Sequence, residues 1–420
     1  MPRTANQHST VFHGANVLDE SGSFASPVDI RVVDGWIVEV GRNIHAPGDE
    51  SVDFSGLWVM PGIFDCHTHT AISSIDPLEV LRTPVTQWVL EAVGNLRRVI
   101  EAGVTFVRDP GGADAGIRTA IEHGLVSGPR LQVAVVMLCQ TGGHGDGYLS
   151  GSGNESSADY LASFPGRPPY LVDGEDEMRK TVRAVLRSGA DWIKICTTGG
   201  IISPHDDGNM PEFSPEEIAV AVYEAGKRGK GVMAHAFGGE GLTNAVQAGV
   251  RSIEHGVFLT EAQAAEMADR GCFLIPTLFV LREVVEWAER GGILPAYADR
   301  KALSLKPRLG EAVAVAQESK VKIALGSDFV RRDLHGRNLA EIPLLHQAGI
   351  SVEETLLAAT INGAELLGVA DRYGRIASGY VFDAIVVDSD PGDLSVFERQ
   401  DAVSGVFKAG VPIVRHPRLG

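Results

Sequence analysis

Short apolar segments alternate with longer amphipathic segments through the middle of the chain, and this alternation restricts the fold more than any other feature. The segments between the apolar ones, such as 175–190 and 214–229, have helical periodicity. Eight strand-then-helix units predict a closed (β/α)₈ barrel, an α/β fold, with a doubly wound parallel sheet as the alternative. The eight apolar segments typical of buried strands lie at residues 58–69, 104–112, 130–138, 191–200, 231–237, 251–256, 272–277 and 322–328.

The two ends of the chain have a different pattern of apolar and polar residues from the middle. Residues 9–60 alternate apolar and polar side chains with the period of a half-exposed strand, and Asp34-Gly35 is a typical hairpin turn. The last residues repeat this pattern. We therefore expect residues 1–60 and 375–420 to form one small β-domain, and residues 61–374 to form the barrel.

Composition excludes several classes of function. The chain has 420 residues, with 37 Lys and Arg against 54 Asp and Glu, so its net charge of −17 argues against broad contact with nucleic acid or anionic lipid. The 4 cysteines lack CxxC spacing and indicate reduced thiols. No secretory signal and no membrane-spanning apolar run is visible. We expect a cytoplasmic enzyme that acts on a small molecule and forms a homo-oligomer.

Histidines and an aspartate mark the ends of several predicted strands. His67 and His69 are two residues apart, so both side chains lie on one face of a strand. His235, His255 and Asp328 each close a different strand. Each has an ordinary alternative role: a hydrogen-bonded histidine at a barrel mouth, or an aspartate that caps the next helix.

Lys194 lies in the apolar stretch Trp192–Cys196, where an ammonium group is costly unless it is paired or chemically altered. Together with the four histidines and Asp328 it falls at the carboxyl ends of predicted strands, the face on which barrel enzymes build their sites. Imidazole and carboxylate are ligands that zinc prefers. The combined pattern predicts a metal site at this face.

These residues resemble the amidohydrolase superfamily, in particular its peptidase M38 and imidazolonepropionase-like branch, which includes Xaa-Pro dipeptidases and carboxypeptidases. The stretches that carry the resemblance are VMPGIFDCHTH, SIEHG, GSD and AATINGAELLG. The resemblance implies a β-sandwich built from both chain ends and two divalent metal ions, with zinc expected. It implies that the ligands are His67, His69 and Asp328 for one ion, His235 and His255 for the other, and carboxylated Lys194 as the bridge between them.

The same resemblance implies hydrolysis by a hydroxide that bridges the two ions, with Asp328 as the catalytic proton carrier. We expect cleavage of an amide bond in an N-acyl amino acid or a dipeptide-like substrate. Aryl amides, carbamates, lactones and phosphotriesters are alternatives on the same metal core. A deaminase is disfavoured because no glutamate stands three residues after His235. A catalytically silent scaffold is disfavoured because all six ligand positions are occupied.

A second group of residues is predicted to contact the substrate. His144 lies in the Gly-rich run TGGHGDG, within the long segment 140–172 that is typical of a lid or binding loop, and is a candidate catalytic residue. Arg331 and His335 follow Asp328 and are candidates for binding a carboxylate, although a solvated face is the ordinary alternative. Phe237 stands where related dipeptidases carry tyrosine, which favours a more apolar substrate.

Overall fold

The computed structural model describes residues 9–25, 27–148 and 167–419. Residues 149–166 of the predicted binding loop lie outside this described part. Within the described ranges, none of the helices combines the length and the apolar character needed to cross a membrane.

Strands from both ends of the chain pair with each other. Their order is β16-β15-β14-β5-β1-β2-β3, with β4 also paired to β1. Trp58 of β5 lies opposite Val387 of β14, and this antiparallel pairing joins the two ends. The strands are β1 (Ser9–Val17), β2 (Val28–Val33), β3 (Trp36–Gly41), β4 (Glu50–Asp53), β5 (Trp58–Pro61), β14 (Ala384–Val387), β15 (Val403–Lys408) and β16 (Val411–Val414).

Aromatic side chains pack together in the core beside these terminal strands. The Phe12 ring centre lies 4.8 Å from that of Phe54 and 5.1 Å from that of Phe382, and all three side chains are buried. The predicted hairpin is confirmed: β2 and β3 pair through Asp34-Gly35, both with positive φ, as a tight hairpin turn requires.

The middle of the chain is a TIM-barrel-like α/β arrangement. Its strands form two parallel sheets, β6-β7-β8 and β9-β10-β11-β12-β13. They are β6 (Ile63–Asp65), β7 (Val104–Asp109), β8 (Arg130–Val133), β9 (Met137–Leu138), β10 (Trp192–Cys196), β11 (Gly231–Ala236), β12 (Ser252–His255) and β13 (Phe273–Ile275).

Three predicted strands differ from expectation. The segment 58–69 is divided into β5, which pairs with β14 in the sheet of the chain ends, and β6, which pairs with β7. The segment 130–138 is divided into β8 and β9, because Val135 between them has a φ of 69°, which no regular strand allows. The segment 322–328 forms only an isolated bridge to β13 through Ile323. It nevertheless hydrogen-bonds to both neighbours, since Leu274 donates to the Lys322 carbonyl and Cys66 donates to the Leu325 carbonyl.

Helices follow the parallel strands. The helix predicted within 214–229 is confirmed: the Ser214 hydroxyl accepts from the amide of Glu217 in a capping box, and Pro215 is the first helical residue. The helices are α1 (Pro77–Arg82), α2 (Val85–Glu101), α3 (Ala115–Glu122), α4 (Glu175–Arg187), α5 (Pro215–Gly226), α6 (Gly239–Ala248), α7 (Glu261–Arg270), α8 (Leu278–Arg290), α9 (Ala296–Leu305), α10 (Glu311–Glu318), α11 (Glu341–Gln347), α12 (Val352–Ala358) and α13 (Ile361–Leu366).

Candidate metal centre

One cavity at the carboxyl ends of the parallel strands collects most of the predicted site. It encloses about 1190 Å³, including its open mouth. The predicted residues that line it are His67, His69, His144, Lys194, His235, Phe237, His255 and Asp328. The parallel strands explain this grouping, because residues that end such strands meet at one edge.

Asp328 is the centre of the tightest cluster. Its Oδ1 lies 3.4 Å from His67 Nε2 and 3.3 Å from His69 Nε2, and its Oδ2 lies 4.0 Å from His255 Nδ1. His67, His255 and Asp328 each offer a ligand atom within 4.8 Å of the others. A metal ion of ordinary coordination distance fits between such atoms.

The backbone at two of these residues is strained. His255 has a φ of 74° and Asp328 a φ of 53°, in the left-handed region that side chains other than glycine rarely adopt. Such conformations persist where the surrounding structure holds them in place, and they concentrate at functional sites. Asp328 is held by its own amide, which donates to the carbonyl of His67.

His235 and Lys194 lie on the other side of the cavity floor. The His235 ring centre is 4.7 Å from that of His255 and 4.1 Å from that of His144, with which it stacks. Lys194 is buried in β10, with 1% of its surface exposed. These two side chains share the cavity with the cluster around Asp328.

Each histidine has one nitrogen engaged by a neighbour. Nδ1 of His69 lies 2.7 Å from the Gly111 carbonyl, and Nδ1 of His255 lies 2.7 Å from a threonine hydroxyl. Nε2 of His235 lies 3.2 Å from the Gly199 carbonyl. The opposite nitrogen of His69, Nε2, lies 3.3 Å from Asp328 Oδ1. A set of oriented imidazoles with a carboxylate suits a divalent ion such as zinc, so the residues present fit a metal centre.

The charges at the site also suit metal binding. Burial lowers the pKa of His235 and of His255 well below the usual value. Burial opposes ionisation of Asp328, but the neighbouring His67 and His69 hold the pKa of its carboxyl well below the usual range. Neutral His235 and His255 with an ionised Asp328 are in the protonation states that a metal ion requires of its ligands. Burial alone would lower the pKa of His69, but the Asp328 carboxylate raises it, so a metal ion would have to displace a proton there.

His144 is held at the cavity by residues of the segment between β10 and α5. Its backbone amide donates to Glu212 Oε1 at 2.6 Å, and its Nδ1 lies 3.0 Å from Ser203 Oγ. Burial, together with Lys194 and Lys301, lowers the pKa of His144 to about 4, against an opposing effect of Asp206. The imidazole is therefore neutral at neutral pH.

The upper wall of the cavity is largely apolar. Helix α8 contributes much of it, including the indole of Trp287, and Arg167 adds a guanidinium group. Phe237 packs beside the site, with its ring centre 5.1 Å from that of His235. The apolar side chains that line the cavity are Ile72, Ile75, Met137, Tyr170, Ile201, Ile202, Phe237, Val280, Leu281, Val284, Trp287 and Val330.

Two predicted substrate contacts are not found at the cavity wall that the described residues form. Arg331 pairs with Asp333 at 3.0 Å, and its guanidinium carbon lies 4.7 Å from the ring centre of Trp287. His335 is buried, with Nε2 2.9 Å from the Ile72 carbonyl. The chain turns away from the cavity after Val330, so the structure does not place Arg331 or His335 at the cavity wall, where the sequence predicts them.

Several residues around the site were not predicted from the sequence. Glu254 and Arg108 are fully buried beneath the cluster, and Arg167 lies in its wall. The signal that singled out Lys194, a charged residue within an apolar strand, also applies to Arg108 in VTFVRD and to Glu254 in SIEH. Arg167 lies in an irregular segment and had no such signal.

Comparison with known proteins identifies the family. The amidohydrolase family model matches residues 58–413, and the chain belongs to this family. It is accordingly a hydrolase that acts on C–N bonds, and the family is typically metal-dependent. The resemblance seen in the sequence is confirmed.

Individual relatives are similar over nearly the whole chain. An ochratoxinase from Aspergillus niger is 30% identical over 378 residues, which cover 86% of this chain and 76% of the relative. The crystal structure of a prolidase complexed with N-methylphosphonate-L-proline superposes with a TM-score of 0.90 at 32% identity, covering 97% of this chain and 100% of the other. That of a Xaa-Pro dipeptidase with bound methionine gives a TM-score of 0.85 at 29% identity, with 96% and 99% covered.

Proposed function

We propose that the protein hydrolyses the amide bond of an N-acyl amino acid or a dipeptide-like substrate. A buried cluster of imidazole and carboxylate groups opens directly into an apolar cavity, and this arrangement supports the proposal most strongly. The relatives named for prolidase, Xaa-Pro dipeptidase and ochratoxinase activity support it further.

The proposed ligands of two divalent ions, with zinc expected, are those of the sequence prediction. His67, His69 and Asp328 would hold one ion, His235 and His255 would hold the other, and a carboxylated Lys194 would serve both. Burial lowers the pKa of Lys194, which favours the neutral amine that reacts with carbon dioxide. When bound, the two ions would supply an activated water molecule and polarise the substrate carbonyl.

We also infer that the parallel strands close into an eight-stranded barrel within residues 61–374, beside a β-sandwich from residues 1–60 and 375–420. The hydrogen bonds of the segment 322–328 to β13 and to Cys66, the residue after β6, support closure. Closure matters for function because it brings Asp328 next to His67, whose carbonyl accepts from the Asp328 amide.

Asp328 is the proposed proton carrier, and His144 is the proposed hydrogen-bond donor to the substrate carbonyl. The Asp328 carboxylate would accept a proton from the attacking water and pass it to the nitrogen of the leaving amine. His144 is neutral, and its Nδ1 faces the Ser203 hydroxyl at 3.0 Å. If the hydroxyl donates to Nδ1, then Nε2 carries the proton and can donate to the oxygen of the carbonyl as negative charge develops there.

The cavity wall offers complementary groups for the two halves of such a substrate. Arg167 is the guanidinium that the described wall presents, and a guanidinium binds a carboxylate with two parallel hydrogen bonds. Trp287 and the aliphatic residues of α8 suit an apolar acyl group or side chain. We therefore expect substrates with a free α-carboxylate and a large apolar group.

The proposal is tested by amino acid release from a panel of N-acyl amino acids and dipeptides, including prolyl dipeptides and ochratoxin, with zinc-loaded protein and ammonia assayed in parallel. Release of a C-terminal amino acid that Asp328→Asn abolishes is the expected result. Ammonia as the product, or release that is undiminished in Asp328→Asn, would overturn it. No release from the whole panel by protein that binds two ions would equally exclude this substrate class.

A further inference from the structure

A buried ion pair lies directly beneath the proposed metal centre. Glu254 of β12 and Arg108 of β7 are both fully buried. Arg108 Nη2 donates to Glu254 Oε1 at 2.9 Å and to Oε2 at 3.1 Å. The two carboxylate oxygens have different second partners: Ser252 Oγ donates to Oε1 at 2.5 Å, whereas Oε2 lies 2.5 Å from Nδ1 of His67.

Arg108 is itself fixed by its surroundings. Its Nε donates to the Cys66 carbonyl at 2.6 Å and its Nη1 donates to Ser252 Oγ at 2.9 Å. The guanidinium also lies 4.8 Å from the ring centre of Trp192 in β10. Two other strands, β10 and β12, and the segment after β6 therefore hold the guanidinium, and through it the carboxylate of Glu254.

A role in stability alone is a weak explanation for this ion pair. Well-packed apolar residues of similar volume often stabilise a protein interior as well as a buried ion pair does, or better. One oxygen of Glu254 is directed at His67, although Arg108 and Ser252 already supply partners for the carboxylate. The arrangement is therefore better explained by its effect on His67.

We propose that Glu254, held by Arg108, is a positioning residue that fixes His67 as the tautomer with its proton on Nδ1. Nε2 is then unprotonated and faces Asp328 Oδ1 at 3.4 Å, where a metal ion would accept its lone pair. This inference rests on the metal centre of the proposed function and goes beyond it, because it assigns a role to two residues that touch neither the proposed ions nor the cavity.

The substitution Glu254→Gln tests the tautomer specifically. Arg108 donates to both oxygens of Glu254, but Ser252 donates to Oε1 and thereby places a second donor there, so the amide oxygen of glutamine would take the Oε1 position. The amide NH₂ would then face His67 Nδ1 and donate to it. That arrangement moves the imidazole proton to Nε2, where it blocks coordination.

Metal affinity, measured by competition with a chromogenic chelator, is the first readout. Glu254→Gln should lose about 10- to 100-fold in affinity at one of two zinc sites, with its fold retained. The matched control is Glu224→Gln, which also alters a buried carboxylate with arginine partners, but on α5 and away from the cavity. Unchanged affinity in Glu254→Gln, or an equal loss in Glu224→Gln, would overturn the inference.

The tautomer can also be read in the wild-type protein, which covers the case in which Glu254→Gln does not fold. Nitrogen-15 NMR of histidine-labelled, metal-free protein should show a proton on Nδ1 of His67, assigned by comparison with His67→Gln. An unprotonated Nδ1 would overturn the inference. If the wild-type protein binds no divalent ion at all, the proposed metal centre fails instead, so the two failures are distinguishable.

Discussion

Replacing Lys194 with methionine should abolish activity and at the same time stabilise the metal-free protein. Lys194 has 1% of its surface exposed, and burial lowers the pKa of its amine, so the folded state disfavours the charged form. Methionine has a similar unbranched shape and no charge to desolvate. It also offers no nitrogen for carboxylation, so the shared ligand of the two proposed ions is lost.

The size of the stability gain follows from the burial. Burying an incompletely satisfied polar group costs about 1–3 kcal/mol in mutational measurements. An unfolding entropy of about 2.1 cal/mol/K per residue, over 420 residues, converts this gain into a rise in Tm of about 1–3 °C. Because the folded-state pKa is below the unfolded value, the gain should be largest at neutral pH and should shrink as the pH approaches about 10.5.

The assay is thermal unfolding with excess chelator, together with metal content and turnover of the zinc-loaded protein. Lys408→Met is the matched control: burial lowers the pKa of Lys408 to about 8, but its Nζ donates to the Gly128 carbonyl away from the cavity. The control should keep two ions and full activity. A Lys194→Met protein that is less stable than wild type without metal, or that retains two ions and full turnover, would refute the reasoning.

Three further predictions concern the wall of the cavity and a buried carboxyl group. Arg167→Met should raise KM at least tenfold for substrates with a free α-carboxylate but not for their carboxamides; an equal rise for both would exclude the carboxylate contact. Phe237→Tyr adds a hydroxyl to the cavity wall and should raise the kcat/KM ratio of dipeptides over apolar N-acyl substrates several-fold, and an unchanged ratio would contradict this. Burial raises the pKa of Glu341 to about 8, although the amides of Leu278 and Phe279 donate to its carboxylate. Between about pH 5 and 8, the folded state keeps a proton on Glu341 that the unfolded state has lost. The free energy of unfolding of the wild-type protein should therefore fall as the pH rises through this range, and Glu341 should contribute a slope of at most about 1.4 kcal/mol per pH unit. The free energy of unfolding of Glu341→Gln, measured by urea denaturation across this pH range, should fall less steeply than that of the wild type. Identical slopes for the two proteins would contradict the assignment.

Much of the fold and of the site could be predicted because the sequence signals are local. Period-two alternation and Asp34-Gly35 identify a hairpin without reference to the rest of the chain. Histidines at strand ends fall at one face by the geometry of parallel strands, and the same reasoning brings Asp328 to His67.

The remaining features depend on the path of the backbone between regular elements. Arg331 and His335 follow Asp328 in a segment without periodicity, so nothing local shows that they turn away from the cavity. The division of the strand 130–138 depends on the left-handed conformation of Val135, which a β-branched residue rarely adopts. Arg167 enters the cavity wall from a segment that no pattern could place.

The most direct test of the central claim is a zinc titration of metal-free protein in the presence of bicarbonate, followed by amino acid release from a well-cleaved N-acyl amino acid. We predict negligible turnover without metal and a rise in turnover that reaches its plateau at two equivalents of zinc per chain. Full turnover in the presence of excess chelator would contradict it, and so would a plateau at one equivalent.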